Sequence, residues 1–217
     1  MQARVVIGIA FLVASDLAAQ DPEFANGAEG SFLAPLDARE PISYYIAEGE
    51  PGSGYRSGDR SLAESAIRAW GRSSTGALRF TPGPESSALL RVYWVPANFG
   101  LYGEMRPILI DGQRGAEVFI RPDTDALGDE IARRARDDPL FRDAVVYLTC
   151  LHEIGHALGL EHTADFADIM YFFGYGGDIP GFFGRYRDRL RAREDIAIVP
   201  GLSSGDLQQL HALYEEE

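Results

Sequence analysis

Within one short window, His152, Glu153, His156 and His162 combine residue types that could hold a metal ion and move a proton. From Ala144 to Leu160 the chain is apolar on all sides, which marks a buried helix. Apart from Tyr147 and Cys150, the ionisable groups of that stretch are His152, Glu153 and His156. A lone ionised Glu there is costly unless a cation compensates it. His152 and His156 are four apart, so their imidazoles lie one above the other on a helix face and can reach one ion. Glu153 projects from an adjacent angle, near whatever they bind. Gly159 permits a sharp turn through positive φ, after which His162 can return beneath the helix as a third ligand. Three neutral imidazoles leave a fourth tetrahedral position for water, the arrangement of a catalytic zinc site. The bland alternative is a pair of satisfied core histidines.

Several elements must position that window. Pro139 is placed to open its helix, with Asp137 and Asp138 at the positive end. Upstream, Ile42 to Ile46 reads as a strand, and Ser61-Leu62-Ala63-Glu64 fits a capping box. The helix that follows has Leu62, Ala66, Ile67 and Trp70 on one face and stops near Gly71. Leu78 to Thr81 and Leu89 to Val95 are strand-like, the second alternating Leu90, Val92 and Trp94 with Leu89, Arg91 and Tyr93. Ile108 to Ile110 and Ala116 to Ile120 are two more short strands, joined by Asp111-Gly112-Gln113-Arg114-Gly115, and Asp125 to Arg136 reads as a polar helix. Strand, helix, strands, then helices predict a mixed α+β domain.

Composition narrows the classes. The chain has 217 residues, a 46% hydrophobic share and a formal net charge of −13. That length supports a real core, and disorder throughout is not expected. An acidic chain repels a polyanion, so nucleic-acid binding through phosphate neutralisation is not expected. A single Cys excludes an internal disulfide framework and a four-cysteine zinc site.

His152-Glu153-Ile154-Gly155-His156-Ala157-Leu158-Gly159-Leu160-Glu161-His162 matches the H-E-x-x-H-x-x-G-x-x-H signature of metzincin metallopeptidases at every specified position. Asp168-Ile169-Met170-Tyr171 resembles the Met-turn of that family, in which a methionine (here Met170) underlies the site. The short gap from His162 to Met170, and Tyr171 directly after Met, resemble the matrixin branch. Leu202 to Tyr214 is similar to the closing helix of matrixin domains. The resemblance covers about Ile42 to Tyr214, most strongly Val145 to Tyr171. It implies a metzincin-like α+β domain at 41–217, with a twisted, mostly parallel five-stranded sheet and three main helices, at about Ser61–Trp70, Pro139–Leu158 and Ser204–Tyr214.

The resemblance also implies a role for each residue. His152, His156 and His162 would hold one catalytic Zn2+, which brings the pKa of a bound water to ~7. Glu153 would be the general base. The substrate would be a peptide or protein, lying extended beside an edge strand within Leu101 to Ile110. Tyr171 and Phe172 are candidates to wall a substrate pocket, and plain core packing is the competing reading. The rival in function is a zinc-stabilised binding module without turnover; Glu153 argues against it, since a purely structural site has no use for a base.

The departures from the pattern are specific. Thr163 stands where matrixins commonly have Ser, and Phe172 where they commonly have Pro. Phe172 also cannot ligate zinc, as a Tyr two after the Met does in some other metzincins. A counterpart of the blocking cysteine of matrixin propeptides is not expected, since Cys150 is the one cysteine of the given sequence and lies round the helix from His152. Only His211 lies outside the motif, so a second histidine-built zinc site is not expected. Asp111-Gly112 is similar to matrixin calcium loops, but Asp-Gly is more often simply a turn, so Ca2+ stays open. Five alternating arginines from Arg185 to Arg193 read as a solvated face. The stretch from Phe173 to Gly201 is longer than the family usually has.

The N-terminus reads as an export signal. Met1 to Arg4 is short and basic, Val5 to Ala14 is apolar, and Leu17-Ala18-Ala19 offers small residues before Gln20. The expected organisation is a signal peptide at 1–19, a leader at 20–40 and the peptidase-like domain at 41–217. That organisation implies a secreted or periplasmic protein, with membrane attachment only if the first segment stays uncleaved. The oligomeric state is not legible.

Overall fold

The computed structural model describes residues 33–99 and 102–215. The expected signal at 1–19 lies outside the described residues, as does the leader before Leu33. Five strands form one sheet: β1 (Ile42–Ile46), β2 (Phe80–Pro82), β3 (Leu90–Trp94), β4 (Gly103–Ile110) and β5 (Gln113–Ile120). Their order is β2-β1-β3-β5-β4. Every pairing is parallel except β4 with β5. The helices are α1 (Asp59–Ser73), α2 (Asp129–Asp137), α3 (Pro139–Ala157), α4 (Ile179–Arg187) and α5 (Ser204–Tyr214). The α+β architecture and the mostly parallel five-stranded sheet match the expectation; α2 falls in the polar helix read over Asp125 to Arg136, and α4 is added.

Side-chain alternation explains the sheet. Leu90, Val92 and Trp94 of β3 and Ala116, Val118 and Ile120 of β5 are buried on the helix-covered face. Arg91 and Glu117, on the other face, pair at 3.5 Å. Asp111 and Gly112 close the β4–β5 hairpin with φ of 51° and 80°. Two consecutive positive φ values are the mark of a tight hairpin turn, which accounts for both residue types.

The core lies between that face and the pair α1 and α3. Asp138 caps α3 by accepting from the N–H groups of Leu140 (3.0 Å) and Phe141 (3.2 Å), and Pro139 follows at the first helical position. From Ala144 to Ala157 every residue of α3 is buried. Trp70 of α1 is fully buried and donates its indole N–H to the carbonyl of Leu151 at 3.0 Å. Burying a polar N–H so deep is tolerable only with such a partner.

The start of α1 differs from the sequence reading. The helix begins at Asp59, and Ser61 donates to the carbonyl of Gly58 at 2.7 Å instead of forming a capping box with Glu64. The reason is a buried ion pair. Asp59 and Arg142 are each 1% exposed and joined through both carboxylate oxygens. Arg142 also donates to the carbonyls of Gly54 and Pro122, so it ties α3 to the chain on either side.

The segment after Phe173 has its own packing. Phe182, Phe183 and Tyr186 of α4 are buried, and Tyr186 stacks on Tyr147 of α3 at 5.2 Å. The alternating arginines are not simply a solvated face. Arg185 lies 4.7 Å over the Phe166 ring, Arg187 pairs with Asp138 at 2.6 Å, and Arg193 pairs with Asp143 at 2.7 Å. They fasten this segment to the loop before it and to the start of α3. Leu36, in the stretch read as a leader, is 2% exposed and belongs to the core. Among the described residues, no helix is long and apolar enough to cross a membrane.

Candidate metal centre

The C-terminal half of α3 carries His152, Glu153 and His156. The chain then turns at Gly159, whose φ is +98°. A β-carbon there would meet the Leu33 carbonyl oxygen at 2.8 Å, so both the turn and the packing demand glycine. Arg114 donates to the carbonyl of Ala157 at 2.9 Å, placing a cation at the helix's negative end. The Tyr214 hydroxyl donates to the carbonyl of Leu158 at 2.8 Å and accepts from Leu36 N–H at 2.9 Å. The turn that delivers His162 is therefore braced from β5 and from α5.

The three imidazoles converge. His156 Nε2 and His162 Nε2 are 3.1 Å apart, and His162 Nε2 and His152 Nε2 are 3.3 Å apart. The His156 ring stands nearly perpendicular to both others. A tetrahedral ion with Zn–N bonds of ~2.0–2.1 Å separates its ligands by about 3.3–3.4 Å. The spacing fits one such ion.

The outer nitrogens settle the tautomers of two rings. His152 Nδ1 lies 2.6 Å from the Ile169 carbonyl oxygen, and His156 Nδ1 lies 2.9 Å from that of Leu160. A carbonyl can only accept, so in each ring Nδ1 carries the proton and Nε2 turns a lone pair inward. Lone pairs crowded together in a buried place repel unless a cation sits among them. Burial, with repulsion from the neighbouring rings, holds His152 well below the usual histidine range. His156 is pushed down to about 4 by burial and by His162, and His162 to about 4 by burial. All three are thus neutral at pH 7, as metal ligands must be.

Glu153 is 3% exposed and stands beside the first residues of β4. Burial pushes its carboxyl up to about 8, and repulsion from Glu104 adds to the rise. A divalent cation on the imidazoles acts in the opposite direction. Gly103 packs directly against the carboxylate, and any β-carbon there would overlap Oε1.

Met170 is fully buried under the centre. Gly155, between His152 and His156, lacks the β-carbon that would lie 2.5 Å from the Met170 sulfur. Thr163 N–H donates to the Met170 carbonyl and Phe172 N–H to the Thr163 carbonyl, joining the third histidine's loop to the methionine turn. Asp206 of α5 accepts from the N–H groups of Ile169 (2.9 Å), Met170 (3.2 Å) and Ser203 (2.7 Å). It is the residue that sequence reading missed. Its trace was present in Ser203-x-x-Asp206, a capping box whose acid does double duty.

The two candidate pocket residues separate. The Phe172 ring lies 4.9 Å from the His162 ring, beside the centre. Tyr171 is 6% exposed, packs against Phe166 and Phe173, and donates its hydroxyl to the Gly176 carbonyl at 3.0 Å. His211 lies away from the cluster, its Nε2 3.0 Å from the Ser73 carbonyl oxygen. Cys150 is buried in α3, and burial raises its thiol well above the ordinary range.

Residues 38–176 match the family model described as Matrixin. The chain is also 31% identical over 143 residues to interstitial collagenase of Sus scrofa, across 64% of this chain and 28% of that protein. It therefore spans less than a third of that relative's length.

Proposed function

The chain belongs to the matrixin family, and on that premise we propose that it is an exported zinc endopeptidase in which Glu153 is the general base. The observation that carries the reading is the convergence of His152, His156 and His162 through inward-facing nitrogens. Zinc, held there, supplies Lewis acidity that polarises a peptide carbonyl and makes water nucleophilic near neutral pH.

The chain's own residues supply the rest. The three histidines fix the ligand geometry, and the carbonyls of Ile169 and Leu160 fix two of their rings. Glu153 takes the proton of the attacking water and delivers it to the leaving amine nitrogen. Gly103 leaves the carboxylate room. An extended peptide lies along the free edge of β4, with Phe172 as an apolar wall beside His162. No covalent acyl-enzyme is needed.

The test is Glu153→Ala in zinc-loaded protein, assayed on a diverse peptide library with and without chelator. Parent protein is expected to cleave and to stop when chelated. The variant is expected to keep about one equivalent of zinc and lose cleavage by about a hundredfold or more. Cleavage by the variant at the parental rate contradicts the reading. Export is supported by the basic, apolar and small-residue layout of residues 1–19, and N-terminal sequencing of exported material tests it.

A further inference from the structure

Among the described residues β4 is an edge strand, paired with β5 on one side alone. In an antiparallel pair, residues that exchange hydrogen bonds with the neighbour alternate with residues whose N–H and C=O point away. Three hydrogen bonds fix the phase here. The Tyr102 carbonyl accepts from Arg121 N–H at 2.9 Å, so Tyr102 faces the β5 side. Ile120, opposite Gly103, gives its carbonyl to Val95 N–H at 2.8 Å. Ala116, opposite Pro107, gives its N–H to the Leu89 carbonyl at 2.7 Å. Ile120 and Ala116 are turned away from β4, so Gly103, Met105, Pro107 and Leu109 carry their polar backbone groups on the free edge.

Pro107 thus sits where it costs the sheet no ladder bond. It does alter what the free edge offers. Gly103 and Met105 each present an N–H and a C=O. Pro107 presents only a C=O, with its ring in the place of the donor. The free ladder begins at Gly103, against Glu153, and is complete for only two rungs.

We propose that Pro107 is a specificity-determining stop. The extended substrate pairs with Gly103 and Met105 and is released from the edge beyond them, so about three residues on that side of the scissile bond are recognised. The inference rests on the peptidase reading and deepens it: the substrate is read by a short backbone window on one side, whatever its sequence farther out. A proline on an exposed edge also blocks pairing with other chains, and the test separates the two roles.

The test uses internally quenched peptides that share one cleavable centre and grow one residue at a time from either end. Zinc-loaded wild-type protein is expected to gain about two- to tenfold in kcat/KM with each added rung at one end, then to stay flat beyond the third residue. In Pro107→Val the ratio of long-peptide to short-peptide kcat/KM is expected to rise by a further two- to tenfold, because a donor now stands at the next rung. Pro107→Ala makes the same test if the valine variant folds poorly; circular dichroism and zinc content establish which variant is used. The inference is overturned if wild-type kcat/KM keeps rising past the third residue. It is equally overturned if a folded, zinc-loaded variant levels off at the wild-type length, including one that merely self-associates. If the wild-type protein cleaves none of these peptides, the peptidase reading falls and takes this inference with it. Cleavage without the plateau removes this inference alone.

Discussion

His152 donates from Nδ1 to the main-chain carbonyl of Ile169 across 2.6 Å, so the first ligand of the candidate metal centre is aimed by the methionine turn. The same Ile169 gives its N–H to Asp206 of α5 at 2.9 Å. The closing helix therefore reaches the centre through one residue.

Asp206→Ala removes the acceptor for the Ile169, Met170 and Ser203 N–H groups. Such outer partners typically tune metal affinity by about 10–100-fold. Competition against a chelator is expected to show zinc affinity weakened within that range. Unchanged affinity would remove Asp206 from the support of the centre.

Gly103→Ala places a methyl group against the Glu153 carboxylate. That carboxylate is the free end of a flexible side chain, so the fold is expected to survive while the base is displaced. Misplacing a catalytic group by about 1 Å can cost on the order of 100-fold in rate. A fall in kcat of about 10–100-fold with zinc content unchanged is expected. Parental kcat would show that Glu153 needs no clearance there.

Asp59→Asn takes from Arg142, which is 1% exposed, its bidentate anion and leaves it Asp143 at 3.4 Å. Removing one partner of a buried ion pair costs about 3–5 kcal/mol. For a domain of this size that lowers Tm by roughly 10 °C. Calorimetry of the variant makes the comparison, and a shift under 2 °C by the same scaling contradicts the structural role given to the pair.

Alkali should unfold the protein through its buried phenols. Burial pushes Tyr147 up to about 12 and Tyr214 up to about 12. Below pH ~10, the ordinary tyrosine value, both folded and unfolded states keep these protons, and the full stability is present. Between ~10 and 12 the unfolded chain releases protons that the folded chain retains, so stability is lost as pH rises. Tyr147 alone accounts for about 2–3 kcal/mol by pH 12. Tyr147→Phe is expected to move the alkaline midpoint, followed by circular dichroism, to higher pH. An unmoved midpoint would assign alkaline unfolding to other groups.

What the sequence reveals follows from how local each signal is. His152, Glu153, His156 and His162 are readable because one helix and one glycine turn set their spacing. The alternation of β3 and the Asp138-Pro139 start of α3 are local too, and both appear as expected. β4 is longer than its apolar end suggests, because Glu104, Arg106 and Pro107 interrupt the pattern; Arg106 reaches back to Glu104 at 2.7 Å and lies 4.8 Å over Phe119. The start of α1 was misplaced because Asp59 answers to Arg142, a partner far along the chain. α4 was missed because Pro180, Gly181 and Gly184 hide a helix whose burial comes from Phe182, Phe183 and Tyr186. Asp206 acts at the centre only through tertiary contacts, which its own helix pattern does not announce.

Zinc-edge X-ray absorption of protein loaded with one equivalent of zinc tests the central claim most directly. Three imidazole nitrogens at ~2.0–2.1 Å, with one further light-atom ligand, are expected, and His162→Ala should lose one imidazole from the shell. A shell with fewer than three imidazoles in the parent protein, or one unchanged by that substitution, would contradict the assignment of His152, His156 and His162 to a single zinc ion.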